Sequence, residues 1–417
     1  MGTEGGGMTR HRYGNGFMQI GMSVRRGRVF ALFLVIAFVW IVAPCPETFG
    51  ISESPRSGNP VVGTVPQKVH DVFIPSPRDF TVETFAQDLE IPWELVFLPD
   101  GRALVTERPG RIRMIDRGKL LDTPYAFIPA SSLGEGGLMG LALHPDYPLK
   151  PYLYVMYTHR VGIKSYNRVE RLRDTGKTAV SDRVIIDRLP AARFHDGGRI
   201  AFGPDRMLYV CTGDATHPQT AQDLSNLGGK ILRLTPDGSI PKDNPFGNSP
   251  VYAYGLRNPQ GLAWDPDTGS LFSSVHGPSG EFGLHGKDSV IIIRKGGNYG
   301  WPRVLGKVNM KPYVDPIVFW PGKATPPAGM TFFRRDLYLA TLKAEALVRI
   351  GLERSGRGYT VTSIERLFGE DWSSGKYGRL RDVVTGPDGN LYVLTSNRDG
   401  RGTPRKGDDK ILRLVYK

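Results

Sequence analysis

Val384-Thr385-Gly386-Pro387-Asp388-Gly389-Asn390-Leu391-Tyr392-Val393-Leu394-Thr395-Ser396-Asn397 joins a tight Pro-Asp-Gly turn to an alternating apolar strand. The same phrase occurs upstream as AFGPDRMLYVCTGD (Ala201 to Asp214), AWDPDTGSLFSSVHG (Ala263 to Gly277) and FLPDGRALVTER (Phe97 to Arg108). ALHPDY with LYVMYT (Ala142 to Thr158) is a further copy, and TFFRRDLYLATL (Thr331 to Leu342) a weaker one. Six copies, spaced by about 45 to 65 residues, match the length of one four-stranded propeller blade. Each unit buries its strand face only against the next, so the chain must close into a ring with an axial funnel. The expected fold is all-β, a six-bladed β-propeller with four-stranded antiparallel blades spanning residues 80–417.

The 52 glycines and 33 prolines among 417 residues suit a ring of tight turns better than two ordinary domains. The formal charge is +13, but the Lys and Arg residues are scattered and form no dense basic helix, so no nucleic-acid partner is expected. Arg25, Arg26 and Arg28 precede an apolar run from Val29 to Ala43, and residues 1–50 therefore read as an export signal or a membrane anchor. That places the protein outside the cytoplasm, in the periplasm or an equivalent compartment. Residues 51–79, rich in Pro, Ser and Gly, read as a tether. Two cysteines, Cys45 and Cys211, provide no disulfide framework.

Loops at one end of a propeller converge on its axis, so chemistry is sought in turns far apart in the chain. His195, in Phe194-His195-Asp196-Gly197-Gly198-Arg199, has the residue type of a general base, and equally that of a surface loop. Arg257 and Asn258 offer a fork of donors to an oxyanion, in a turn that is also ordinary punctuation. Gly277 and Pro278 could present carbonyl oxygens to Ca²⁺. Lys343 follows the fifth repeat, and Arg379 and Arg381, two apart in an extended segment, would point the same way and grip one polyanion, unless they form a solvated basic edge.

Taken in order, GEGGLMGLALHPDY, FHDGGRIAFGPD, YGLRNPQGLAWDP, HGPSG, GGNYGWP and GRLRDVVTGPDGNLYVLT make the chain resemble the soluble quinoprotein glucose/sorbosone dehydrogenases, especially the aldose sugar dehydrogenase branch. The resemblance runs from about Phe80 to the C-terminus. It implies pyrroloquinoline quinone (PQQ) and Ca²⁺ in the funnel, with oxidation of an aldose at its anomeric carbon to a lactone and onward electron transfer to a quinone or cytochrome. It also implies His195 as base, Arg257 and Asn258 against the quinone, Lys343, Arg379 and Arg381 on its carboxylates, Gln219 and Glu135 as further cofactor contacts, and Gly277 and Pro278 on the metal. Val275 stands where the family commonly has Glu before His-Gly-Pro, leaving no carboxylate expected there. Asp288-Ser289-Val290-Ile291 lacks a Glu and an Asn that serve a second, structural Ca²⁺ in some members. Two other classes fit a propeller: a non-catalytic module binding a protein or glycan, and a Ca²⁺-dependent hydrolase. The first would lose the base or the cations, and the second needs converging carboxylates that the axial turns lack.

Overall fold

The repeated turn is built by its aspartate. In the computed structural model, which describes residues 58–417 except position 357, Asp388 Oδ1 accepts the Asn390 N–H at 3.2 Å, Asp205 Oδ1 that of Met207 at 3.1 Å, and Asp100 Oδ1 that of Arg102 at 3.1 Å. The following position takes a left-handed conformation, φ 88° at Gly101 and 71° at Gly389, but Arg206 holds it in the third blade at φ 64°. The weak fifth copy makes its turn from Arg334 and Arg335, both at positive φ, and so lacks the Pro-Asp-Gly signature.

Each turn joins the first two strands of an antiparallel sheet. Blade one holds Pro92–Phe97, Ala103–Glu107 and Arg111–Asp116, with an outer strand broken into Lys119–Leu120 and Ala126–Phe127. Blade two is Leu138–Leu143, Tyr152–Val161, Lys164–Asp174 and Ala179–Pro190; blade three is Ile200–Phe202, Leu208–Thr212, Lys230–Leu234 and Val251–Tyr254. Blade four is Asn258–Trp264, Leu271–His276, Asp288–Ile293 and Val318–Trp320, and blade five is Pro327–Phe333, Asp336–Thr341, Leu347–Ser355 and Gly358–Leu367. Blade six takes Leu380–Thr385, Leu391–Thr395 and Ile411–Tyr416 from the end of the chain and Phe80–Ala86 from its beginning. Pro92–Phe97 lies against the first strands of blades two and six, which closes the ring. The chain is a six-bladed β-propeller.

Two strands fall within the stretch read as a tether. Val61–Val62 pairs with Val304–Leu305, and Asp71–Ile74 adds a fifth, parallel strand to blade five along Gly358–Leu367. Asp71 is the reason: its Oδ2 accepts from Arg366 Nε at 2.6 Å and Trp320 Nε1 at 3.1 Å, pairing a fully buried guanidinium. Folded structure thus begins before Phe80. The apolar run at 29–43 lies outside the described residues, and no helix among the described residues is long and apolar enough to cross a membrane.

At the axis, Arg199 ties four blades together. It reaches Glu94 of blade one at 2.7 Å, Asp382 of blade six at 3.0 Å and the Gln260 carbonyl of blade four at 3.0 Å, with its guanidinium 4.5 Å above Trp93. Burial pushes the Glu94 and Asp382 carboxyls up, and Arg199 opposes the shift.

Candidate active site

In an antiparallel hairpin the start of the first strand and the end of the second lie at one end, opposite the connecting turn. Residues just before each first strand and just after each second strand therefore gather on the face away from the Pro-Asp-Gly turns. A cavity of about 390 Å³ opens there, lined by Glu135, His195, Arg257, Gly277, Pro278, Lys343 and Arg379 from five blades, together with His276, Asp288 and Arg401. A smaller cavity of about 290 Å³ adjoins it and shares Glu135 and Arg401 as a common wall.

His195 is placed by its own backbone, at φ 65°, and by Gly213, where any Cβ would collide with the His195 carbonyl. Its Nδ1 lies 2.8 Å from Asp214 Oδ1, and its Nε2 lies 2.6 Å from Arg257 Nη2. A guanidinium can only donate, so Nε2 accepts and the ring proton sits on Nδ1, facing the carboxylate. Asp214 is fixed in turn: Trp301 Nε1 donates to its Oδ2 at 2.8 Å and the Thr216 N–H to its Oδ1 at 2.9 Å. The imidazole is thereby held in the tautomer that directs a basic nitrogen toward Arg257 and the cavity.

Arg257 Nη2 also donates to Glu281 Oε1 at 2.6 Å, and its guanidinium lies 5.9 Å from the Trp301 ring centre. Asn258 is fully buried; its Oδ1 accepts the Gly197 N–H at 3.0 Å, so it braces the base-bearing loop from the floor. Gly277 donates its N–H to Asp288 Oδ1 at 2.9 Å, and a Cβ there would collide with the Gly286 carbonyl. The absence of a carboxylate inferred at Val275 is thus offset locally, because Asp288 lines the cavity and Glu281 follows the turn. Among the described residues no three His, Cys, Asp or Glu side chains cluster to hold a metal.

The cations are less uniform than the sequence suggested. Lys343 is exposed at the cavity, with no ion pair among the described residues, whereas Arg379 is buried and donates to Asp399 Oδ2 at 2.8 and 3.0 Å. Arg381 does not share that wall: it lines the smaller cavity and donates to Gln260 Oε1 at 2.8 Å. The strand register shifts between Leu380 and Asp382, and this bulge breaks the alternation that would have aligned the two arginines. Gln219 stands outside, exposed on the turn Pro218–Gln222, where Gln222 instead reaches Trp301 O at 2.7 Å. Glu135 accepts the His195 N–H at 3.0 Å and pairs with Arg401 at 2.7 Å. Burial alone would raise its carboxyl, but Arg401 and the His195 N–H hold it down at about 2.

Asp214, Trp301, Glu281 and Arg401 were not singled out from the sequence. Asp214 ends the quoted phrase CTGD and Trp301 lies in GGNYGWP, so both had a signal; Glu281 and Arg401 had none beyond nearby glycines. Two buried nitrogens at the cavities, His276 Nε2 and Arg381 Nε, have no partner among the described residues. Burial drives His276 down to about 3, keeping it neutral, and lowers Arg381 to about 9. Unpaired donors beside Lys343, Arg379 and Arg401 suit a ligand rich in anionic oxygens.

A family model described as glucose/sorbosone dehydrogenase matches residues 89–413. The chain is 32% identical over 360 residues to an aldose sugar dehydrogenase of Escherichia coli (strain K12), spanning 78% of this chain and 92% of that protein. A crystal structure of a proposed oxidoreductase (glucose dehydrogenase) from Thermus thermophilus superposes with a TM-score of 0.76 at 51% identity, covering 81% of this chain and 100% of that one. The PQQ-bound form of an aldose sugar dehydrogenase from Streptomyces coelicolor gives 0.72 at 37% identity, covering 82% and 99%. With six blades closing on a cavity lined by His195, Arg257, Lys343 and Arg379, the chain belongs to the glucose/sorbosone dehydrogenase family.

Proposed function

We propose that this oxidoreductase uses PQQ and Ca²⁺ to oxidise aldose sugars at the anomeric carbon, releasing lactones. The observation that carries the reading is His195, whose Nδ1 faces Asp214 at 2.8 Å so that Nε2 presents its lone pair beside Arg257 in a cavity lined by cations. When bound, the quinone would supply the two-electron acceptor and Ca²⁺ a Lewis acid.

The chain's own residues do the rest. His195 Nε2 takes the proton of the anomeric hydroxyl, and Asp214 stabilises the imidazolium that results. Arg257 directs N–H donors at the place where negative charge develops. Lys343 and Arg379 would hold the cofactor's carboxylates from the larger cavity and Arg381 from the adjoining one, Asn258 would back its ring, and Gly277 and Pro278 would give the metal backbone oxygens. Electrons would pass to an external quinone or cytochrome outside the cytoplasm, a location that rests on reading residues 1–50 as an export signal or anchor.

The test is reconstitution of protein lacking residues 1–50 with PQQ and CaCl₂, followed by dye-linked assay on a panel of aldoses. We expect cofactor binding by absorbance and thermal shift, and turnover on at least one aldose. His195→Ala should still bind PQQ and lose about 10²- to 10⁴-fold in turnover. No spectral change and no thermal shift with PQQ would overturn the reading.

A further inference from the structure

The contacts around His195 Nε2 describe a closed site. The lone pair that must receive the substrate proton already accepts from Arg257 Nη2 at 2.6 Å, and Glu281 Oε1 stands 3.6 Å from the same nitrogen. Glu281 is what anchors the guanidinium: one carboxylate oxygen accepts from both Arg257 Nη2, at 2.6 Å, and Arg257 Nε, at 3.1 Å. Its other oxygen accepts the Ser279 N–H at 2.7 Å, so the carboxylate is braced by its own loop. A hydroxyl cannot reach Nε2 until Arg257 withdraws, and an anionic oxygen cannot take the Arg257 fork until Glu281 leaves it.

The loop bearing Glu281 is short and glycine-flanked, and it closes on itself between Ser279 and His285. Gly280, Gly283 and Gly286 all have positive φ, at 136°, 70° and 70°, giving backbone freedom on either side of the carboxylate. Phe282 sits at φ 56°, a conformation that a side-chain-bearing residue rarely adopts, and its exposed ring packs against Trp301 with centroids 5.8 Å apart. Trp301 in turn holds Asp214. One short loop therefore touches both flanks of the base: Arg257 through Glu281, and Asp214 through Phe282 and Trp301.

We propose that Glu281 is an internal anionic placeholder, occupying the Arg257 fork beside His195 until an anionic oxygen of the incoming cofactor displaces it. The inference rests on the reading of the cavity as a PQQ site. It makes Glu281 a positioning residue whose removal strengthens ligand binding, the opposite of what loss of a structural or ligand-holding group would do. When the competent state is the minor one, the observed affinity is lowered by its population, so freeing the fork should tighten binding by about tenfold.

The experiment is titration of PQQ, at fixed CaCl₂, into wild-type and Glu281→Gln protein, followed by tryptophan fluorescence and stopped flow. We expect a dissociation constant lower by about tenfold in the variant, with faster association. Glu281→Asp, which keeps the charge, should stay near wild type. An unchanged or raised dissociation constant for Glu281→Gln, with the thermal midpoint of the free protein preserved, would overturn the placeholder. If wild type itself fails to bind PQQ, it is the cofactor reading that falls.

Discussion

Asp196 adjoins His195 in sequence and shows how a single buried carboxyl sets a pH dependence. Its Oδ1 accepts from Asn167 Nδ2 at 3.1 Å and from the Ala192 N–H at 3.2 Å, while Oδ2 has no partner among the described residues. Burial raises this carboxyl from 3.8 to about 7; the Asn167 bond opposes the rise and the Glu135 charge adds to it. The folded state therefore keeps a proton that the unfolded chain loses near pH 4, and the stability it contributes is lost as pH rises from about 4 to about 7, by up to about 4 kcal/mol. Asp196→Asn removes that loss. In urea denaturation the variant should gain on wild type between pH 5 and pH 8, and an equal difference at both pH values would refute the assignment. The site was legible in the sequence where a phrase placed a chemically distinctive group before a first strand, as with His195 and Arg257. Asp214 escaped because a strand-ending Asp looks like any other turn residue. Gln219 misled because a short 3₁₀ turn leaves it in solvent and sends Gln222 inward instead.

Strand alternation and the aspartate turn carried most of the fold, and what they missed has local physical causes. The fifth repeat was faint because Arg334 and Arg335 adopt the turn conformation that Asp and Gly favour. The stretch 51–79 read as a tether because it is rich in Pro, Ser and Gly, yet strand pairing and the Asp71 carboxylate dock residues 71–74 on blade five. Arg366 is fully buried, donates to Asp71 and to Thr325 Oγ1 at 2.8 Å, and lies 4.1 Å from the Trp372 ring centre. Asp71→Ala leaves that guanidinium buried without its hydrogen-bonded ion-pair partner, which should cost about 3–5 kcal/mol. Asp71→Asn, which keeps the acceptor oxygen, should cost less. Urea midpoints of the two variants check the order, and equal midpoints would contradict the ion-pair account.

The ring holds by two devices: the axial guanidinium of Arg199 and the last sheet, in which Phe80–Ala86 lies antiparallel to Ile411–Tyr416. Removing residues through Ala86 strips that sheet of its outer strand and bares the Ile411–Tyr416 edge, inviting chain-to-chain pairing. Such a truncation should elute as oligomers and lose its single sharp melt. Removal through residue 57 should leave the melting profile unchanged, and a truncation through Ala86 that still melts sharply would show that the clasp is dispensable. The clasp also sets a timetable for synthesis. A nascent polypeptide can stack its early blades on the ribosome, but the circle cannot be sealed until Ile411–Tyr416 has emerged, so the newborn molecule remains an open arc until then. Late sealing of this kind would keep the chain threadable for the export proposed above.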